Sequence, residues 1–264
     1  MMEWVELGGG QVLVATEDRT WLHGATLVPS DPFLAAMTGE GSVATTGRLL
    51  DAAVGMSQRA ALERPSTESL TLAGYVARLV DLYHSTRATT PLMRRVADRF
   101  AQLSRPDLAE FARHEAENEK DHDVLALKDL QALGYSRDVV EHLPIGDMTS
   151  RLLEYFHRVG SGAYPIEVFG YGYALERSST AITIDFLRAI ERLLPAGVKA
   201  TRCLRLHSAI GLDVEHVTES VEAIATLPAP DRIAIVRAAY ETARIMFVPG
   251  SLSRPETSID VVTV

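Results

Sequence analysis

From Ser66 onward the chain offers a single pattern, apolar residues at helical spacing cut into segments by Pro and Gly. Leu72, Tyr75, Val76, Leu79, Val80, Leu82 and Tyr83 form one such run, and Ser66-Thr67-Glu68-Ser69 in front of it reads as its cap. Pro91 is expected to break or kink this helix and leave a partner from Leu92 to Leu103. Further helices are expected from Pro106-Asp107 to Leu133, stopped by Gly134, and from Thr149 to Gly160. A long one should follow from Ile166 to Leu194, ended by Pro195-Ala196-Gly197, with two more over 198–227 and 229–248. No strand alternation and no tandem repeat intervenes. The expectation is an all-α bundle of about seven or eight helices over residues 61–264.

Residues 1–60 read differently. Trp4–Leu7 and Gln11–Ala15 are expected to pair as short strands around Gly8-Gly9-Gly10. Asp31-Pro32 looks like a helix start, and the stretch from Gly39 to Gly47 looks like a loop. This part reads as an N-terminal extension acting as a lid or an interface.

The net charge of −9 and the lack of any Lys/Arg run argue against a nucleic-acid surface. Cys203 is the only cysteine, so no intrachain disulfide forms, and a reducing compartment suits it. No basic segment followed by an apolar run opens the chain, and no stretch approaches the roughly 18 apolar residues of a membrane span. The expectation is a cytoplasmic protein without nucleic-acid or membrane partners.

Three of the expected helices carry acids and histidines at metal-ligand spacing. On an ideal helix at about 100° per residue, Glu115 and His122 lie about 20° apart, and Glu119 lies within about 60° of both. All three then share one face over two turns, level with Phe111 and Leu125. A later segment sets the lone carboxylate of Glu176 among Phe169, Tyr171, Tyr173 and Leu175. A third ends in Asp213-x-x-His216, one turn apart on a helix. Buried carboxylates cost several kcal/mol each unless compensated, and a divalent cation compensates them well. Taken singly, each piece has an ordinary reading as a solvated face, a surface ion pair of Glu176 with Arg177, or a packed histidine.

The combination resembles the haem-oxygenase-like dimetal oxidases, a helical family that binds no haem. Glu115 and His122, Glu176, and Asp213 and His216 match its motif of Glu-x6-His, a lone Glu and Asp-x-x-His, and "GYGYALE" and "HDVLALKDLQALG" also look like the family. The resemblance implies two Fe(II) ions per chain bridged by carboxylates, O2 as co-substrate, and oxidation of a small amine, amino acid or fatty acid. The electron donor stays open among a protein, a flavin and the substrate itself, and a homodimer is the default assembly. Glu119 would be an additional or alternative ligand, with Tyr83, Phe169, Tyr171 and Tyr173 lining the cavity.

One position departs from the family. A histidine is often found one turn before the Asp, where this chain has Ala209. His207 lies about 180° from His216 on an ideal helix, so it can join the site only if the helix is distorted near Gly211. Asp81 and His84 are further candidates for the site or its pocket. The scaffold also resembles thiaminase-type proteins and pyrroloquinoline-quinone synthase. That likeness implies a metal-independent alternative in which Cys203, four residues before His207, is the nucleophile. A non-catalytic helical binding protein is the remaining class.

Overall fold

The computed structural model describes residues 1–24, 31–33, 35–62, 70–208, 210–211 and 213–248, without the side chains of 60–62 and 213. Eleven helices and one three-stranded sheet occupy them. The strands β1 (Met2–Gly8), β2 (Gln11–Thr16) and β3 (Thr20–Gly24) form an antiparallel meander with Trp4 opposite Val14 and Val5 opposite Leu13. Gly8, Gly9 and Gly10 all take positive φ and make the first turn. The third strand, with its half-exposed alternation, was not expected.

The helix α1 (Val43–Leu62) begins inside the stretch read as a loop, because Ser42 caps it by accepting from the Thr45 amide at 3.2 Å. Asp31 starts no helix; its carboxylate accepts from the Phe33 amide at 3.0 Å and holds a local turn instead. Residues of the sheet and of α1 share a core with the bundle, Val5, Leu13, Leu49, Leu50 and Ala53 all being at most 2% exposed. A buried ion pair clamps them there. Arg232 Nε donates to Glu3 Oε1 at 2.7 Å, and the Thr45 and Thr46 hydroxyls donate to Glu3 Oε2 at 2.5 and 2.7 Å.

The bundle follows as α2 (Leu72–Gln102), α3 (Pro106–Asn118), α4 (His122–Ala132), α5 (Arg137–His142), α6 (Asp147–Gly160), α7 (Val168–Ser179), α8 (Ile184–Leu193), α9 (Arg202–Leu206), α10 (Asp213–Ala225) and α11 (Ala229–Phe247). The helix count exceeds expectation because single residues break the longer periodic runs. Asp121 takes a left-handed conformation (φ 64°) and separates α3 from α4. The Thr183 hydroxyl accepts from the Phe186 amide at 3.2 Å and starts α8. Gly134 (φ 94°) closes α4 as expected, with the Tyr135 amide reaching back to the Leu130 carbonyl at 3.1 Å.

In the opposite sense, α2 runs unbroken through Pro91. Proline inside a helix costs about 3 kcal/mol, but Leu79, Leu92, Val96 and Phe100 are each fully buried, and their packing outweighs it. The cap of α2 is Thr71, accepting from the Gly74 amide at 3.1 Å; Ser66–Ser69 lie outside the described residues.

Two core clusters result, one including α1, α6, α7 and α11 and one around Tyr75, Tyr83, Leu130 and Leu187. Gly170 lets α7 sit directly on α11, since a Cβ there would lie 2.1 Å from the Ile235 carbonyl oxygen. Among the described residues no helix is long and apolar enough to cross a membrane.

Candidate metal centre

Two groups of three side chains meet inside the bundle, and Glu119 belongs to both. One is Glu119, His122 and His207; the other is Glu119, Glu176 and His216, with the ligand atoms of each group within 4.8 Å of one another. Glu119 is the C-cap of α3 and His122 the first residue of α4, so the chain breaks between them. They are joined by the turn at Asp121 rather than by one helical face, yet Glu119 Oε2 still lies 3.2 Å from His122 Nδ1. Glu176 comes from the middle of α7, and its Oε1 stands 3.9 Å from Nδ1 of His216 on α10.

His207 reaches the centre because the expected helix over 198–227 is interrupted. It caps the five-residue α9, and its ring packs edge-on against His122 at 4.8 Å between centroids. Gly211 makes the break possible: a Cβ there would lie 1.8 Å from the Leu206 carbonyl oxygen. The 180° separation from His216 applies to a continuous helix, which does not exist here.

Glu115 lines the same cavity one turn before Glu119 but belongs to neither group. Asp213 opens α10, its side chain lying outside the described ones, as does Ala209. His84 faces the Val140 carbonyl at 3.3 Å and is not in the cavity wall. Tyr83 is likewise outside it, its hydroxyl donating to Glu141 at 3.2 Å, whereas Phe169, Tyr171 and Tyr173 do line the cavity. Arg177 pairs with Asp51 at 2.5 Å, not with Glu176. Cys203 is fully buried in the second core and absent from the cavity wall, while its backbone amide donates to Asp129 at 2.9 Å.

The electrostatics favour a cation. Burial pushes the Glu119 carboxyl upward, but the His122 hydrogen bond and the charges of His207, His122 and His216 more than reverse this and keep it below the usual glutamate range. Glu115 goes the other way: burial, and then the charge of Glu119, push it up to about 7. His216 Nδ1 is buried with no hydrogen-bond partner among the described residues. Unsatisfied buried nitrogens are rare unless something else binds them. Two histidines with one carboxylate, beside two carboxylates with one histidine, form an oxygen and nitrogen donor set of the kind that holds non-haem iron. The residues fit the ion.

Because Glu115 is raised, the metal-free fold is penalised as pH rises from about 4.5, the ordinary glutamate value, through about 7. Glu115→Gln should therefore raise the melting temperature of metal-free protein at pH 8, with the gain vanishing near pH 4.5. Thermal melts across that range check it; equal gains at both ends would refute the upward shift of Glu115.

A family model described as iron-containing redox enzyme matches residues 76–246. The chain belongs to the iron-containing redox enzyme family. The matched span includes all five residues of the two groups. A search of curated proteins gives no match. Among solved structures, a domain of unknown function with a heme oxygenase-like fold from Shewanella denitrificans is similar, with a TM-score of 0.62 and 22% identity over 75% of this chain and 88% of that one. A TenA homolog from Pseudomonas syringae pv. tomato is also similar, with a TM-score of 0.57 and 11% identity over 81% of this chain and 98% of that one. This member of the iron-containing redox enzymes therefore has a haem oxygenase-like helical fold.

Proposed function

We propose that this enzyme is a non-haem diiron oxidase or oxygenase that uses O2 on a small metabolite, with Glu119 shared between two iron positions. The observation that carries this is the double membership of Glu119: one ionised carboxylate has its ligand atom within 4.8 Å of those of two separate residue pairs. His122 and His207 complete one position, Glu176 and His216 the other. When bound, iron supplies the one-electron and O2 chemistry that side chains lack.

The protein contributes enclosure and placement. Glu119, Glu176 and His207 line a cavity of about 410 Å³. Tyr171 stacks on Phe156 at 4.4 Å with an interplanar angle of 6°, and Phe111 leans on Phe169 at 4.6 Å. These rings keep water from the centre, and the buried Tyr171 hydroxyl, its pKa raised by burial and then by Glu119, remains protonated there. Cys203 is not among the residues of this cavity wall, which supports the metal reading over a thiol route in the same pocket.

The test is iron content after anaerobic Fe(II) loading and desalting, followed by an optical spectrum on exposure to O2. Two irons per chain and a new visible absorption are expected. Protein that retains no iron would refute the proposal.

A further inference from the structure

One stripe of α2 lines the cavity: Arg78, Asp81, Ser85, Thr89 and Met93, at successive turns. At 1.5 Å per residue it runs about 22 Å, and its two ends differ. At one end Met93 and Phe169 are at most 5% exposed. At the other, Arg78 is exposed and Met148 is 40% exposed, so the cavity opens to solvent there. Glu115 and Glu119 belong to the closed half. The ion pair between Arg94 and Glu117, 2.9 Å long, holds α3 alongside α2 and sets Glu115 and Glu119 level with the inner end of the stripe. Arg78 thus stands on the order of 15–20 Å from them along the helix axis.

Arg78 is the only Arg or Lys in the cavity wall among the described residues. Its guanidinium lies 5.7 Å from the centre of the Phe186 ring and makes no ion pair among the described residues. Asp81, one turn on, does not neutralise it by a direct contact; its carboxylate accepts from the Gly146 amide at 2.8 Å and caps the start of α6. The lining also includes the apolar Leu82, Leu152 and Ile182.

We infer that Arg78 anchors the carboxylate of an amphiphilic substrate that enters tail first. Its apolar body then lies along α2, and carbons remote from the carboxylate meet the iron centre. This rests on the cavity being the substrate site of that centre. A forked guanidinium pairs with a carboxylate in a bidentate way that an alcohol head cannot reproduce. The acid head stays at the mouth, so oxidation falls on the distal part of the chain and not beside the carboxylate.

The experiment is equilibrium binding of decanoate and of 1-decanol to metal-free protein, wild type and Arg78→Gln, with iron content of both proteins measured separately. A charge-assisted hydrogen bond of ordinary strength predicts that Arg78→Gln weakens decanoate about tenfold or more while 1-decanol changes less than about twofold. Arg78→Lys should recover part of the loss. Equal weakening of both ligands would overturn the inference, as would unchanged decanoate affinity or no binding of decanoate to the wild type. Because binding is read without metal, a decanoate effect in protein that holds no iron would keep the anchor and refute the oxidase reading. Full iron loading without the decanoate effect would do the reverse.

Discussion

Replacing Glu119 with alanine should empty both iron positions, whereas His122→Ala and His216→Ala should each leave one iron bound. The difference follows from membership. His122 belongs only to the group with His207, and His216 only to the group with Glu176, while Glu119 stands in both. A histidine variant removes one neutral donor from one position. The glutamate variant removes the charge that both positions share and leaves two histidines on one side and a single carboxylate and histidine on the other. The metal-free fold should survive, because Glu119 caps the end of α3 and its removal relieves Glu115 of a like charge. Iron per chain after desalting, read beside the circular dichroism spectrum of each variant, decides the matter. A folded Glu119→Ala protein that still holds one iron would show that the carboxylate is not shared.

The all-α class was legible because the 3.6-residue period survives along nearly the whole chain after Thr71. The number of helices was not, since a break rests on the backbone state of one residue. Asp121 in the left-handed region ends a run that is periodic on both sides, and periodicity carries no trace of it. Pro91 is the converse case, a local breaker overruled by the buried side chains above and below it. The ligand types could be named from Glu, His and their spacing, but where they meet could not. The shared face of Glu115, Glu119 and His122 assumed one straight helix, and the turn at Asp121 brings Glu119 forward while leaving Glu115 outside both groups. His207 stood on the wrong side of an ideal helix, and only the folding back of the chain on Gly211 brings it in. Arg78 gave no signal, because an arginine in an amphipathic helix is ordinary until neighbouring helices leave its stripe uncovered.

Removing Arg232 should cost the metal-free protein about 3–5 kcal/mol of stability, the usual penalty for leaving one partner of a buried ion pair alone. Both partners are only 1% exposed, so solvent cannot take over the lost contacts. Arg232→Ala strands the Glu3 carboxylate among the Thr45 and Thr46 hydroxyls, and it also frees the Leu227 carbonyl, to which Arg232 Nη1 donates at 2.5 Å. The neighbourhood cannot close over the gap cheaply, because Gly41 is packed so tightly on the guanidinium that even a Cβ would come within 2.8 Å of Nε. The double variant Glu3→Leu with Arg232→Met should recover much of the loss, since an apolar pair leaves no buried charge behind. Urea unfolding of wild type, Glu3→Leu, Arg232→Met and the double variant without metal gives the coupling directly, free of any stabilisation by bound iron. A single variant within about 1 kcal/mol of wild type would mean that the first strand is not locked to α11 as described. None of the five residues of the two groups lies on β1, α1 or α11, so the variants that fold should load iron as the wild type does. That separation makes the clamp between the sheet and the bundle a determinant of stability rather than of the metal centre.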